Sequence, residues 1–117
     1  MANQTTIKFD QIVGDIKRRK FMPIYLLEGD ETFYIDEITR TLEQEVLKPE
    51  EKSFNQTIAY GKDISPLEIK MAAKRYPMMS EYQLIIIKEA QNISDIELLE
   101  DYVENPSATT ILVLCYK

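Results

Sequence analysis

Two groups of charged residues mark where this sequence could do chemistry. The first is Glu28, Asp30 and Glu31 around Gly29, in the run YLLEGDETFYIDE from Tyr25 to Glu37. The second is Lys88-Glu89, at the end of QLIIIKE. Each follows an apolar run, and in open α/β sheets ligands sit beyond the carboxyl ends of the strands. A phosphate loop in that place needs several glycines, so that backbone N–H groups converge, and a lysine for the outer phosphates. Only Gly29 is present, and the three acids repel a polyphosphate unless a metal intervenes. One reading is an acidic Mg²⁺ pocket. The favoured one is a tight turn with a helix N-cap at Asp30, which needs no ligand. At the second group an ATPase of this architecture places an Asp for Mg²⁺ and a Glu to align water. Lys88 takes the metal position, where a cation opposes Mg²⁺, and Glu89 alone is too little for a catalytic base. Two independent positions thus fail the nucleotide test. A metal-dependent nucleotide-binding or phosphoryl-transfer enzyme using Asp30, Glu31 and Glu89 stands as the alternative. The expected cofactor and metal complement is none.

Three other features bear on function. Arg75-Tyr-Pro-Met-Met-Ser80 joins a helix end to a strand, where connections are normally polar. Tyr76, Pro77, Met78 and Met79 either cap the bottom edge of the core or form an exposed, adaptable apolar plug for a partner's pocket. The residues alone favour the first. Lys17-Arg-Arg-Lys20 could touch nucleic acid, but reads better as a solvated helix end whose cations favour the C-terminal dipole. Cys115, on an apolar strand, reads as core.

Composition narrows the classes. The 117 residues are 44% hydrophobic and 29% charged, the pattern of one globular domain. A net charge of -6 argues against holding DNA or an anionic membrane through the overall field. Histidine is absent, which removes the commonest general base and transition-metal ligand. One cysteine permits no internal disulfide and no multi-cysteine zinc site. The polar start MANQTTIKFD has no apolar signal core, and no run is long enough to span a bilayer. A cytoplasmic location is expected.

The elements that must position these residues follow from periodicity. Phe9, Ile12, Val13 and Ile16 form one helical stripe. Met22–Leu27 reads as a buried strand. Ile35, Ile38, Leu42 and Val46 line a second helix, ended by Lys48-Pro49. Ser53–Tyr60 reads as a strand closed by Gly61. Ser65-Pro-Leu-Glu68 is a capping box with proline at the first helical position, opening a helix to about Lys74. Gln83–Ile87 is a strand. Ser94-Asp-Ile-Glu97 is a second capping box, with Ile93 and Leu98 at the staple positions, opening a helix that carries Leu99, Tyr102 and Val103. Thr109–Cys115 is the last strand. The order α-β-α-β-α-β-α-β, with two strands apolar on both faces, calls for a parallel sheet between helical layers, a three-layer αβα fold. An apolar strand directly before Lys117 suggests a chain cut from something longer.

The segments PIYLLEGDETFYIDEI, FNQTIAYGKD, AAKRYPMMSEYQLIIIKEAQ and ATTILVLCY, in that order, resemble the N-terminal domain of the delta subunit of bacterial DNA polymerase III, a clamp-loader component. The resemblance implies a degenerate P-loop, AAA+-like domain that has lost ATP binding, followed in the family by lid and collar domains. It implies strand order 1-4-3-2, with a fifth strand missing or beyond Lys117. It implies a non-enzymatic part of the polymerase holoenzyme that binds the sliding clamp and helps open the ring. Contacts with other loader subunits would run mainly through domains not present here, and contact with DNA would be indirect. The family's clamp-contacting apolar pair falls at Pro77 and Met78, with Met79 adjacent and Tyr76 supplying aromatic area. Family members often have Leu-Phe there, so Pro-Met-Met is a softer anchor. Under the resemblance the loop reads as a plug, and the turn at Gly29 as framework without a nucleotide.

Overall fold

A computed structural model of the chain describes residues 2–116, with side chains from Phe9 onward. Met1 and Lys117 lie outside the described residues, so the expectation of a continuation past Lys117 is not addressed by them. The elements are α1 (Ala2–Lys17), β1 (Ile24–Leu27), α2 (Thr32–Glu45), α3 (Lys52–Asn55), β2 (Gln56–Tyr60), α4 (Pro66–Ala73), β3 (Gln83–Lys88), α5 (Glu100–Glu104) and β4 (Thr110–Cys115). Short 3-10 turns at Pro49–Glu51, Gly61–Asp63, Ala90–Asn92 and Ile96–Leu99 connect them.

The two strands read as apolar on both faces, β3 and β4, are the central pair. The sheet is parallel throughout, in the order β1-β4-β3-β2. Side chains alternate across it, because successive residues of a strand face opposite sides. Leu84 and Ile86 of β3 and Ile111 and Val113 of β4 meet Ile16 of α1 and Ile35, Ile38 and Leu42 of α2. Ile85, Ile87, Leu112 and Leu114 face the other layer, with Ile69 and Ala73 of α4, Leu99 and Tyr102. The αβα layering follows directly. Each fully buried aliphatic side chain contributes roughly 1.5–3 kcal/mol, so these two strands carry much of the stability.

Four expectations are corrected. β1 is not buried on both faces: it is an edge strand, and Leu26 is 55% exposed. Leu26 pairs with Leu114 and so faces the α4 side, where β1 lies at the margin of the helical layer. Helix α2 is capped at Glu31, not Asp30, and no side chain bonds its first turn. The segment Ser53–Asn55 is helical, not extended. Pro49 starts a turn, and Glu51 Oε1 accepts from the Lys48 N–H at 2.8 Å, so the chain is already coiled when it enters α3. The capping box at Ser94–Glu97 does not form: Asp95 is left-handed, with φ 55, and a 3-10 turn leads into the five-residue α5. Ile93 is buried while Leu98 is exposed, so the staple is not made.

The box at Ser65 does form. The Glu68 N–H donates to Ser65 Oγ at 3.2 Å, and the Ser65 N–H donates to Glu68 Oε1 at 2.9 Å. Gly61 is required by a close approach, since a Cβ there would stand 2.3 Å from the carbonyl oxygen of Glu89. In the basic run at the end of α1, two of the four cations have partners within the chain. Arg18 pairs with Asp15 at 2.7 Å, and Arg19 donates to the Glu45 carbonyl, lies 3.6 Å from Glu81 and stacks 5.0 Å from the Phe21 ring.

Candidate functional site

The acidic groups at the strand ends are not brought together. β1 and β3 are separated by β4, so Asp30 and Glu31 leave the sheet two strand spacings, about 10 Å, from Glu89. Glu89 is itself left-handed, with φ 52, and its carboxylate accepts from Asn92 Nδ2 at 3.3 Å within its own turn. Among the described residues no group of three His, Cys, Asp or Glu side chains is placed to hold a metal ion. Gly29 has φ 145, a conformation that side chains rarely adopt, with open space where a Cβ would be. Its role is therefore in the backbone turn, not in a close approach to anything present. Against the first turn of α2, Phe33 and Tyr34 pack with Phe9 of α1, the Phe9 and Tyr34 rings edge-on at 4.7 Å. A cavity of about 270 Å³ lies between α2 and the ends of β3 and β4, lined by Asp36, Arg40, Glu43, Lys88 and Cys115 among others. Arg40 is paired with Glu37, which raises its pKa further. Cys115 is buried with Sγ 3.4 Å from Thr39 Oγ1, as a core thiol.

The opposite end of the sheet is different. Tyr76 is 88% exposed, Met78 61% and Met79 98%, while Pro77 is half-buried. Tyr76, Met78 and Met79 therefore do not cap the core. Three such side chains in solvent would drift if the loop were loose, yet its start is tied to the sheet and its far end closes in a local turn. At its start, Gln83 Nε2 lies 2.9 Å from the Ala72 carbonyl and 2.7 Å from that of Arg75, and Thr110 Oγ1 donates to the Ala73 carbonyl at 2.6 Å. The Thr110 hydroxyl gives the Ala73 carbonyl a partner at a helix C-terminus, where carbonyls lack intrahelical donors, and Gln83 adds a donor at Ala72, which also accepts from the Arg75 N–H at 3.3 Å. At its end, Ser80 Oγ donates to the Tyr82 carbonyl at 3.0 Å. In between, Met79 adopts φ 53, left-handed for a residue with a side chain, which costs about 1–2 kcal/mol. The surrounding bonds must offset that cost.

Two residues the sequence reading missed belong here. Phe54 is 76% exposed and lines, with Met78, Met79, Lys48, Glu50 and Glu51, a groove of about 500 Å³ beside the loop. Asn55 is 3% exposed and bonds the backbone of Met78. Pro49-Glu-Glu51, a helix-start signal, could have shown that Phe54 lies on a turn. Nothing local shows that Asn55 reaches a residue 23 positions away.

Fold comparison places the chain among AAA+-like domains. It superposes on a Bacillus subtilis DNA clamp loader delta protein with a TM-score of 0.84, at 24% identity, over 92% of this chain and 35% of that one. It superposes on a gamma subunit-related protein of DNA polymerase III from Thermotoga maritima with a TM-score of 0.67, at 16% identity, over 93% of this chain and 39% of that one. The sequence profile of the family described as DNA polymerase III, delta subunit, matches residues 25–117, and the chain belongs to that family. The DNA polymerase III subunit delta of Bacillus subtilis (strain 168) is 28% identical, over 85% of this chain and 31% of that protein. The chain thus spans about a third of the length of the relatives it matches. Among the described residues no helix is long and apolar enough to cross a membrane.

Proposed function

We propose that this chain serves bacterial DNA replication as the AAA+-like unit of a clamp-loader delta subunit, and that it binds the sliding clamp without catalysing a reaction itself. Tyr76, Pro77, Met78 and Met79 are the docking surface, with Phe54 beside them. The observation that carries this reading is the exposure of Tyr76, Met78 and Met79 on a loop whose start is hydrogen-bonded to Gln83 of β3 and whose middle is held by Asn55. A few apolar anchors of this kind carry most of the energy of an interface. Methionine adapts to an irregular pocket, and each buried side chain contributes roughly 1.5–3 kcal/mol. Helping to open the ring requires tighter contact with the distorted clamp than with the closed one. The lid and collar domains, contacts with other loader subunits, indirect contact with DNA and a cytoplasmic setting belong to the same proposal.

The ATP site is degenerate in this reading. Support comes from the single glycine of the turn at Gly29, the Asp30 and Glu31 acids, Lys88 in the metal position and the engagement of Glu89 by Asn92. A thermal shift with Mg-ATP separates this from the phosphoryl-transfer alternative. Ligand binding to the folded state alone would raise the melting temperature by linkage, and no shift is expected. For the clamp, calorimetry with a purified bacterial sliding clamp compares this chain with its Met78→Ser/Met79→Ser variant. The expected loss is well over tenfold, each decade being about 1.4 kcal/mol. Equal affinities would remove the loop from the interface.

A further inference from the structure

One side chain holds the middle of the apolar loop. Asn55 ends the four-residue α3 and is almost fully buried. Its Oδ1 accepts from the Met78 N–H at 2.6 Å, and its Nδ2 donates to the Met78 carbonyl at 2.9 Å. Nδ2 also donates to the Glu51 carbonyl at 2.9 Å. The carboxamide thus meets both polar groups of one residue on a segment that has no regular structure, much as a neighbouring strand would. It leaves the Met78 side chain outside and fixes the peptide that leads into the left-handed Met79.

We propose that Asn55 is the positioning residue of the docking loop: its side chain fixes the Met78 backbone so that Met78 and Met79 are presented in their binding orientation before a partner arrives. This rests on the clamp-binding reading above. Ordering a loop at the moment of binding subtracts from affinity, and an ordered loop avoids that loss. Neither of the nearest side chains in size or chemistry reproduces this geometry. Aspartate lacks the donor, and glutamine places the amide one methylene further out. The bond to Glu51 makes the α3 turn and the loop one body, which keeps the exposed Phe54 at a fixed place beside the two methionines.

The test has an arm that needs no partner. In the wild-type chain the Met78 amide is expected to exchange with solvent at least about tenfold more slowly than in an unstructured peptide. Asn55→Ala abolishes that protection. Asn55→Asp keeps the acceptor for the Met78 N–H and loses the donations, so the Met78 amide stays protected while the loop loosens at its carbonyl. Clamp affinity, measured per folded molecule, is expected to fall about tenfold in Asn55→Ala and less in Asn55→Asp. The core variant Ile86→Val, destabilised elsewhere, keeps wild-type affinity. A Met78 amide that exchanges as an unstructured one overturns the proposal, as does wild-type affinity in folded Asn55→Ala. If the wild-type chain binds no sliding clamp, the clamp reading fails, while the exchange measurements still decide whether Asn55 orders the loop.

Discussion

Gln83 and Thr110 share a buried hydrogen bond of 2.9 Å, from Nε2 to Oγ1, at the bottom edge of the two central strands. Thr110 Oγ1 donates a hydrogen bond to the Ala73 carbonyl, and Gln83 Nε2 lies within reach of those of Ala72 and Arg75, so one small network closes the end of α4 where the docking loop begins. Removing the Thr110 hydroxyl strands the buried Ala73 carbonyl, and removing the Gln83 amide takes a donor from the part-buried carbonyls of Ala72 and Arg75. Gln83→Leu and Thr110→Val are each expected to cost about 1–3 kcal/mol in urea unfolding. Because the two act in one network, the double variant costs less than the sum. Strict additivity would show that the two groups are independent.

Gly61 tests the contact between the turn after β2 and the turn after β3. A methyl group there meets the Glu89 carbonyl, a backbone atom that cannot rotate away. Gly61→Ala is expected to lower stability by about 1–3 kcal/mol, the usual cost of overpacking. Gly29→Ala meets no atom and suffers only its φ of 145, a backbone cost of about 1–3 kcal/mol. Retained wild-type stability in Gly61→Ala would mean that the two turns separate freely.

The chain has no histidine, so its pH response is expected at the two extremes. Burial pushes the Tyr25 phenol above its ordinary 10.0, with Asp15 adding to the rise and the Met22 N–H opposing it. Tyr116 is raised by burial and by Glu28. The unfolded chain therefore releases these protons first. The stability is fully present below about pH 10 and is lost as the pH rises through the higher folded values. Asp101 is lowered, first by its hydrogen bond from Lys70. Its contribution is present above the usual 3.8 and is lost as the pH falls through the lower folded value. Urea midpoints measured across pH should be flat from about 6 to 8, and Tyr25→Phe should soften the alkaline fall. An unchanged alkaline slope in that variant would place the titration elsewhere.

Cys115 is expected to resist thiol reagents in the folded chain. Its Sγ is buried against Thr39, and an apolar setting disfavours the reactive thiolate. Maleimide labelling in native buffer should be slow and should accelerate with the urea unfolding transition. Complete labelling at the mixing time would contradict the burial.

What was legible in the sequence is what local pattern controls. The runs Gln83–Ile87 and Thr109–Cys115 announced the central strands because both faces of each are covered. Ser65 and Ser94 head the same spacing, yet only the first makes a capping box. Pro66 fixes a helical start after Ser65, whereas Asp95 is left-handed and the core takes Leu99 and Tyr102, leaving Leu98 and Val103 outside. The apolar loop itself was visible as Tyr76–Met79, but whether it faced core or solvent was not, since methionine suits either. Asn55 was invisible because its partner is set by tertiary structure, and β1 was misjudged because a short apolar run looks the same at an edge as in the middle, although the order 1-4-3-2 implied by the resemblance already set it at the edge.

Methyl-methionine NMR tests the docking surface most directly. Met22 and Met71 are exposed to about the same degree as Met78, so exposure alone does not single out the loop. On titration with a bacterial sliding clamp, the methyl signals of Met78 and Met79 should shift and broaden most as they enter an apolar pocket. A complex that forms while those two signals stay unchanged would contradict the assignment of the docking surface.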